Sequence, residues 1–219
     1  MSSEPEELLP PHGGYRNLKS YQLARLCYGV TVRFCKRYVS KFSGTNNQMV
    51  QAARSGVRNI SEGSSASGTS KRIELKLTDI ARASLDELRG DYRDFLRDRK
   101  LREWSDNDPR RAELIARRCA TPEAVAEWVE DVHGRSGRDG RDGRDGRDGR
   151  DGRDGRDGRD GRNRRETYAE IAANAAIVLI NVACSLLDRQ LAALAKAYAE
   201  NGGFTERMYR IRRERRRRQ

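Results

Sequence analysis

The stretch "TYAEIAANAAIVLINVACSLLDRQLAALAKAYAE", residues 167–200, constrains this chain more than any other. Its apolar residues recur at helical spacing, and 34 residues of helix span about 50 Å at about 1.5 Å per residue. Ile171, Val178, Leu179, Val182 and Leu186 share one face, while Ile177, Ile180, Cys184, Leu187, Leu191, Leu194 and Tyr198 occupy another. Asn174, Asn181, Ser185 and Asp188 leave only a narrow polar strip. An ordinary surface helix presents an apolar stripe of about 100°, so this one must be covered on most sides. Its apolar run, Ala172 to Leu187, is broken by Asn174, Asn181 and Ser185 and is short of the about 20 residues of a bilayer span. The expectation is a buried helix in a protein that does not enter a membrane. Four helices of one chain are too few to surround it, which predicts self-association.

Three further helices precede it. The first is expected over about 17–42, with Leu26, Cys27, Val30 and Phe34 on one face and Tyr28, Val32, Cys35 and Val39 on nearly the opposite one. The second carries Met49, Ala53, Val57 and Ile60 and is expected to stop at Glu62-Gly63. The third, capped by Thr69 or Ser70, runs to about Arg97 with Leu77, Ile80, Ala81, Leu85, Leu88, Tyr92 and Phe95 toward the core. Leu75 points nearly the other way, a candidate contact outside the core. Few aromatics and abundant Ala, Leu and Arg agree with an all-α chain.

Between Lys100 and Arg165 the periodicity dissolves. Two short helices are expected over 109–119 and 122–132, each opened by a proline, and the sequence leaves open whether they pack on the rest. The repeat "GRDGRDGRD" follows, Gly at every third position from Gly134 to Gly161. No proline stiffens it into a collagen-like helix, and electrically neutral units with nothing to bury predict a flexible loop. The expected parts are therefore a disordered 1–14, three helices in 15–99, an insertion at 100–133, a low-complexity loop at 134–165, the fourth helix in 166–201 and a tail at 202–219.

That tail, "FTERMYRIRRERRRRQ", holds Arg207, Arg210, Arg212, Arg213, Arg215, Arg216, Arg217 and Arg218 against Glu206 and Glu214. Eight positive and two negative charges give +6, half of the net +12. Clustered arginines release counterions from phosphate backbones, so these eight residues are the candidate nucleic-acid-binding set. Lacking Trp or Leu anchors, they fit a membrane surface less well. Other sites are weaker. Four cysteines without a C-x-x-C pair indicate neither zinc nor a disulfide framework, and two isolated histidines offer no catalytic or metal site. No cofactor is indicated, and no nucleophile stands beside a base. Without a secretion-type N-terminus the chain is expected in the cytoplasm. The carboxylates of "SLDELRGDYRDFLRD" interleave with Arg89, Arg93 and Arg97 as surface ion pairs. Arg54 and Arg58 are expected to pair with Asp79 or Glu87, or to contact phosphate.

The string "QMVQAARSGVRNISEG", followed by "SGTSKRIELKLTDIARASLDELRGDYRDFL", resembles the 23S rRNA intervening-sequence protein family; "LLDRQLAAL" and "GGFTERMYRIR" are similar to its subgroup with a C-terminal suffix domain. Asn59, Ile60, Ser61, Glu62 and Gly63 stand where that family usually reads N-I-A-E-G, Ser61 being the departure, and Asn59, Glu62 and Gly63 are read as the fittings of the turn between the second and third helices. The resemblance implies an antiparallel up-down four-helix bundle, here with a long flexible insertion between helices 3 and 4. It also implies a homo-oligomeric ring, typically a pentamer, no catalytic activity, and kinship with a basic accessory protein of retroelements that works with RNA. Leu75, Ile177, Ile180, Leu187, Leu191 and Leu194 are the candidate interface residues. The leading reading is a non-enzymatic scaffold for RNA or a nucleoprotein; its rival is a protein-binding adaptor without nucleic-acid contact.

Overall fold

A computed structural model describes Leu9, residues 12–136 and residues 166–218. The Gly-Arg-Asp loop from residue 137 onward and most of the N-terminal segment lie outside these. The described chain is all-helical, with no strand among its residues. After a 3-10 turn at Tyr15–Asn17 come α1 (Lys19–Tyr38), α2 (Gly44–Ala66), α3 (Lys71–Asp98), α4 (Pro109–Arg117), α5 (Pro122–Ser136), α6 (Tyr168–Asn201) and α7 (Phe204–Arg218).

Helix starts follow local chemistry, because the first-turn N–H groups need acceptors. Ser43 accepts from the Thr45 N–H, Ser70 from Ile73, Asp108 from Arg110 ahead of Pro109, Thr121 from Ala124 and Thr167 from Glu170. Gly202, at φ 68°, ends α6 in a conformation that side chains disfavour. Two ends differ from expectation. Helix α1 stops at Tyr38, leaving Phe42 fully exposed on the connection to α2. Helix α2 continues through Glu62-Gly63 to Ala66.

α1 packs on α2, α2 on α3, α3 on α6 and α6 on α1, a closed cycle around one core. Residue numbers rise on α3 as they fall on α6: Arg82 pairs with Asp188, and Arg89 donates to the Asn181 side chain at 2.8 Å. Ser20, at the start of α1, donates to Gln190 near the far end of α6 at 2.7 Å. The core is layered by side chains such as Met49, Ile60, Leu85, Leu88 and Ile180, all at most 1% exposed. Tyr92 reaches across it, its hydroxyl donating to Thr31 Oγ1 at 3.0 Å, and Thr31 in turn donates to the Cys27 carbonyl at 2.8 Å. Ile80, expected inside, lies at the surface because its position on α3 falls off the Ala81–Leu85–Leu88 face.

The segment from 100 to 136 is neither loose nor separate. α4 packs on α6, and α5 packs on both α6 and α1. Trp104, Leu114, Val125, Trp128, Val129 and Val132 join the core, with Trp128 fully buried. The connection after α3 is docked by α6 itself. Asn174 Oδ1 accepts the Trp104 N–H at 2.8 Å, its Nδ2 donates to the Arg102 carbonyl at 2.8 Å, and Glu170 accepts the Arg102 N–H at 2.8 Å. Gly29 admits α5, since a Cβ there would lie 2.5 Å from the Pro122 ring. The expected flexible insertion is, over its described part, a packed wall.

That wall corrects the self-association argument. α1, α3, α4 and α5 of the same chain cover α6, so Ile177, Ile180 and Leu187 are at most 1% exposed within one subunit. They are core residues and unavailable as an interface. Of the six candidates, Leu75, Leu191 and Leu194 remain partly open. α6 has the length and composition of a membrane-crossing helix, yet 72% of its apolar window is buried inside the subunit.

Candidate nucleic-acid interface

Beyond Gln190 the residues of α6 are partly or fully exposed, and α7 continues past the glycine pair. The basic tail is helical from Phe204 through Arg218. Its start is fixed by Glu206, whose carboxylate accepts the Gly203 N–H at 2.9 Å. Backbone N–H groups of Glu206 and Gly203 hold that carboxyl below its usual range, so it stays charged over the helix N-terminus. Arg210 Nη1 donates to the Asn201 carbonyl at 3.0 Å, tying α7 to the end of α6.

At about 100° per residue, Phe204, Met208 and Ile211 form one narrow stripe, and the arginines take the rest of the circumference. Arg212, Arg213, Arg215, Arg216 and Arg217 are exposed, as is Tyr209 at 74%. Arg207 and Arg210 stand in the first turns, nearer the subunit, and Arg218 ends the helix. The arrangement is a preformed cationic rod with one aromatic side chain free to stack. Such a rod suits phosphates, which need positive charge at regular spacing without base-edge recognition.

A second basic feature lies on α2. Arg54 and Arg58, one turn apart, border a shallow groove of about 320 Å³ with Gln51, Ser55, Asn59 and Glu62. Neither arginine forms an ion pair among the described residues, which corrects the expected pairing with Asp79 or Glu87. The reason is rotational. Gly56 sits about 200° round from Arg54 and faces α3, where an added Cβ would meet Leu85 at 2.8 Å. The arginines therefore point away from α3.

Asn59 does not organise the α2–α3 turn as expected. Its amide donates back to the Ser55 carbonyl at 2.9 Å and to Ser55 Oγ at 3.1 Å, and Ser55 Oγ lies 2.9 Å from Ser84 Oγ on α3. Glu62 is exposed within the continuing helix. Gly63 does serve the helix pair, since a Cβ there would press on Leu77 at 3.2 Å and the Glu74 carbonyl at 3.3 Å. The motif is a packing device with a polar outer edge.

Two of the α3 carboxylates, Asp86 and Asp94, pair as their spacing predicted, whereas Arg93 turns to a carboxylate beyond the helix and Asp91 forms no ion pair among the described residues. Arg89 meets Asp86, Arg97 meets Asp94 at 2.7 Å, and Arg93 reaches Glu103 at 3.0 Å. Arg110 lies over the Trp104 ring at 4.2 Å and bonds Asp108 and Glu166, and the Asp108 carboxyl is held low by its Arg110 hydrogen bond. Burial pushes the Cys35 thiol up to about 11 and raises those of Cys27 and Cys184, so these sulfurs are protonated packing groups at neutral pH. Among the described residues no group of three or more His, Cys, Asp or Glu is placed to hold a metal.

The signal for the two features missed in sequence was present but ambiguous. Asn174 follows Glu170 by one turn, a spacing equally suited to a solvent edge, and whether Arg54 and Arg58 meet the acids of α3 depends on the rotation of α2, which spacing alone does not fix. A scan against protein-family models, a search of curated proteins and a search of solved structures each returned no match.

Proposed function

We propose that the protein is a non-enzymatic, cytoplasmic scaffold that binds RNA or a nucleoprotein, built as an antiparallel up-down four-helix bundle of the 23S rRNA intervening-sequence kind. α1, α2, α3 and α6 are the bundle, α4 and α5 its packed insertion, and α7 its nucleic-acid arm. The observation that carries the reading is α7: eight arginines on one helix, Arg210, Arg212, Arg213, Arg215, Arg216 and Arg217 among them exposed, with the helix base tied to the subunit. The closed cycle of helix contacts supports the bundle. The unpaired Arg54 and Arg58 supply a second, weaker contact for phosphate.

As a homo-oligomer, a pentamer in the family it resembles, the protein would gather several such arms and multiply their effective concentration at one polyanion. The surface for that assembly is the open Leu191, Leu194 and Tyr198 stripe on the outer half of α6.

Removal of residues 207–219 tests the reading. Fluorescence anisotropy with a single-stranded RNA of mixed sequence should show weaker binding and a log–log salt slope shallower by about 0.7 for each phosphate that the arm neutralises in the full chain. Equal affinity and slope in the truncated protein would reject the arm and favour the adaptor reading.

A further inference from the structure

The nucleic-acid reading leaves unused a cleft between the C-terminal half of α1, α5 and the first turn of α6. It encloses about 190 Å³. Its floor is hydrocarbon: Val30, Phe34, Val125 and Val129 are all at most 7% exposed. The floor side chains carry no hydrogen-bonding atom, so a nucleobase or sugar edge placed against them would be buried without a side-chain partner, at a cost of about 1–3 kcal/mol for each polar group. An apolar ring or short chain is the complementary content.

The mouth has different chemistry. Arg33 and Arg37 stand on α1, Glu130 on α5, and the phenols of Tyr38 and Tyr168 close the sides. Arg33 already pairs, loosely, with Glu123 at 3.8 Å. With Glu123 occupied by Arg33, Arg37 is the cation of the mouth that forms no ion pair among the described residues. Burial raises the Tyr38 phenol, so it remains a neutral hydrogen-bond donor. The walls are preformed, because α5 is seated on α1 through the Gly29–Pro122 contact and α6 through the core. An apolar cavity of about 150 Å³ is known to hold benzene, so this volume has room for one ring and a small head group.

We infer that this cleft binds a small organic monocarboxylate carrying one aromatic ring or a short alkyl chain, its hydrocarbon between Phe34 and Val129 and its carboxylate on Arg37. The α5 wall makes the site: without the 109–136 segment the Val30–Phe34 face would be open surface. The site does not depend on the α7 arm.

Isothermal titration calorimetry on the full chain with sodium phenylacetate tests the assignment, with 2-phenylethanol, 2-phenylethylamine and L-phenylalanine as comparison ligands. Saturable binding of phenylacetate is expected, with 2-phenylethanol about tenfold weaker because it lacks the charge-assisted bond. Arg37→Gln, at an exposed position, should weaken phenylacetate about tenfold, and Ala126→Trp should fill the cleft and abolish binding while the far-ultraviolet circular dichroism stays unchanged. Absence of saturable phenylacetate binding would overturn the assignment. So would tighter binding of the amine or the zwitterion, which would place the recognition on Glu130, or an affinity that Arg37→Gln leaves unaltered.

Discussion

At the scale of single residues the subunit is governed by a few polar atoms inside an apolar interior. Tyr92 and Thr31 satisfy each other and the Cys27 carbonyl, so a deep hydroxyl stabilises the core instead of burdening it. Asp91 is the contrary case. Its Oδ2 is buried with no hydrogen-bond partner, and burial, then Glu87 and Asp94, raises its pKa. The folded carboxyl thus holds a proton more tightly than the unfolded one. Stability linked to this group is greatest at low pH and falls as pH rises from the unfolded value through the folded one. Asp91→Asn removes the ionised form. It should raise Tm by roughly 1–3 °C at pH 7, and the gain over wild type should shrink toward zero near pH 3. Thermal unfolding followed by circular dichroism at both pH values decides this; an equal gain at the two would show that the charge is not the cause.

At the scale of elements, four long helices were legible because their apolar residues recur at helical spacing over twenty or more positions, as with Met49, Ala53, Val57 and Ile60. Ends were less legible. Glu62-Gly63 looks like a stop, but Gly63 is spent on the close approach of α2 to α3, and the helix passes through it. The wall of α4 and α5 was the least legible part. Nine and fifteen residues give little periodicity, and Trp104 lies on an irregular connection whose place is set by Asn174 and Glu170, some 70 positions away. The α7 arginines could be read directly, since charge density needs no partner to be seen, whereas the unpaired state of Arg54 and Arg58 depends on how α2 is rotated. Asn174→Ala tests the docking of the wall. It strips the Trp104 N–H and the Arg102 carbonyl of their buried partners and should cost about 2–4 kcal/mol in urea unfolding. Native-state Trp fluorescence should shift to the red as the Trp104 environment opens. A destabilisation below about 0.5 kcal/mol with unchanged emission would mean that the hydrophobic packing of Trp128 and Val125 suffices to seat the wall.

At the scale of the whole molecule, the central physical fact is that one chain covers most of its own apolar helix. A helix greasy on nearly all sides invites the conclusion that subunits must fold together, and Ile177, Ile180 and Leu187 would then be interface residues. They are instead enclosed by α1, α3, α4 and α5. The outer half of α6 differs, because past Gln190 the same spacing continues through Leu191, Leu194 and Tyr198 with no described element covering them fully. Burial of α6 within one subunit therefore does not require a second copy, and the self-association proposed above would rest on the outer half of α6 alone. Leu191→Glu combined with Leu194→Glu places two charges on the open stripe and touches none of the enclosed residues. Light scattering in low and high salt should show wild-type protein well above 24.9 kDa and the double variant at that single-chain mass. The helix signal of the variant and its Tm should be nearly unchanged, and its Tm should not vary over a hundredfold range of concentration, as mass action requires of a unit that folds alone. Wild-type protein at the single-chain mass would remove self-association from the proposed function. A variant that loses its helix signal on dissociation would show that α4 and α5 are too small a cover, and that α6 depends on its neighbours in other subunits after all.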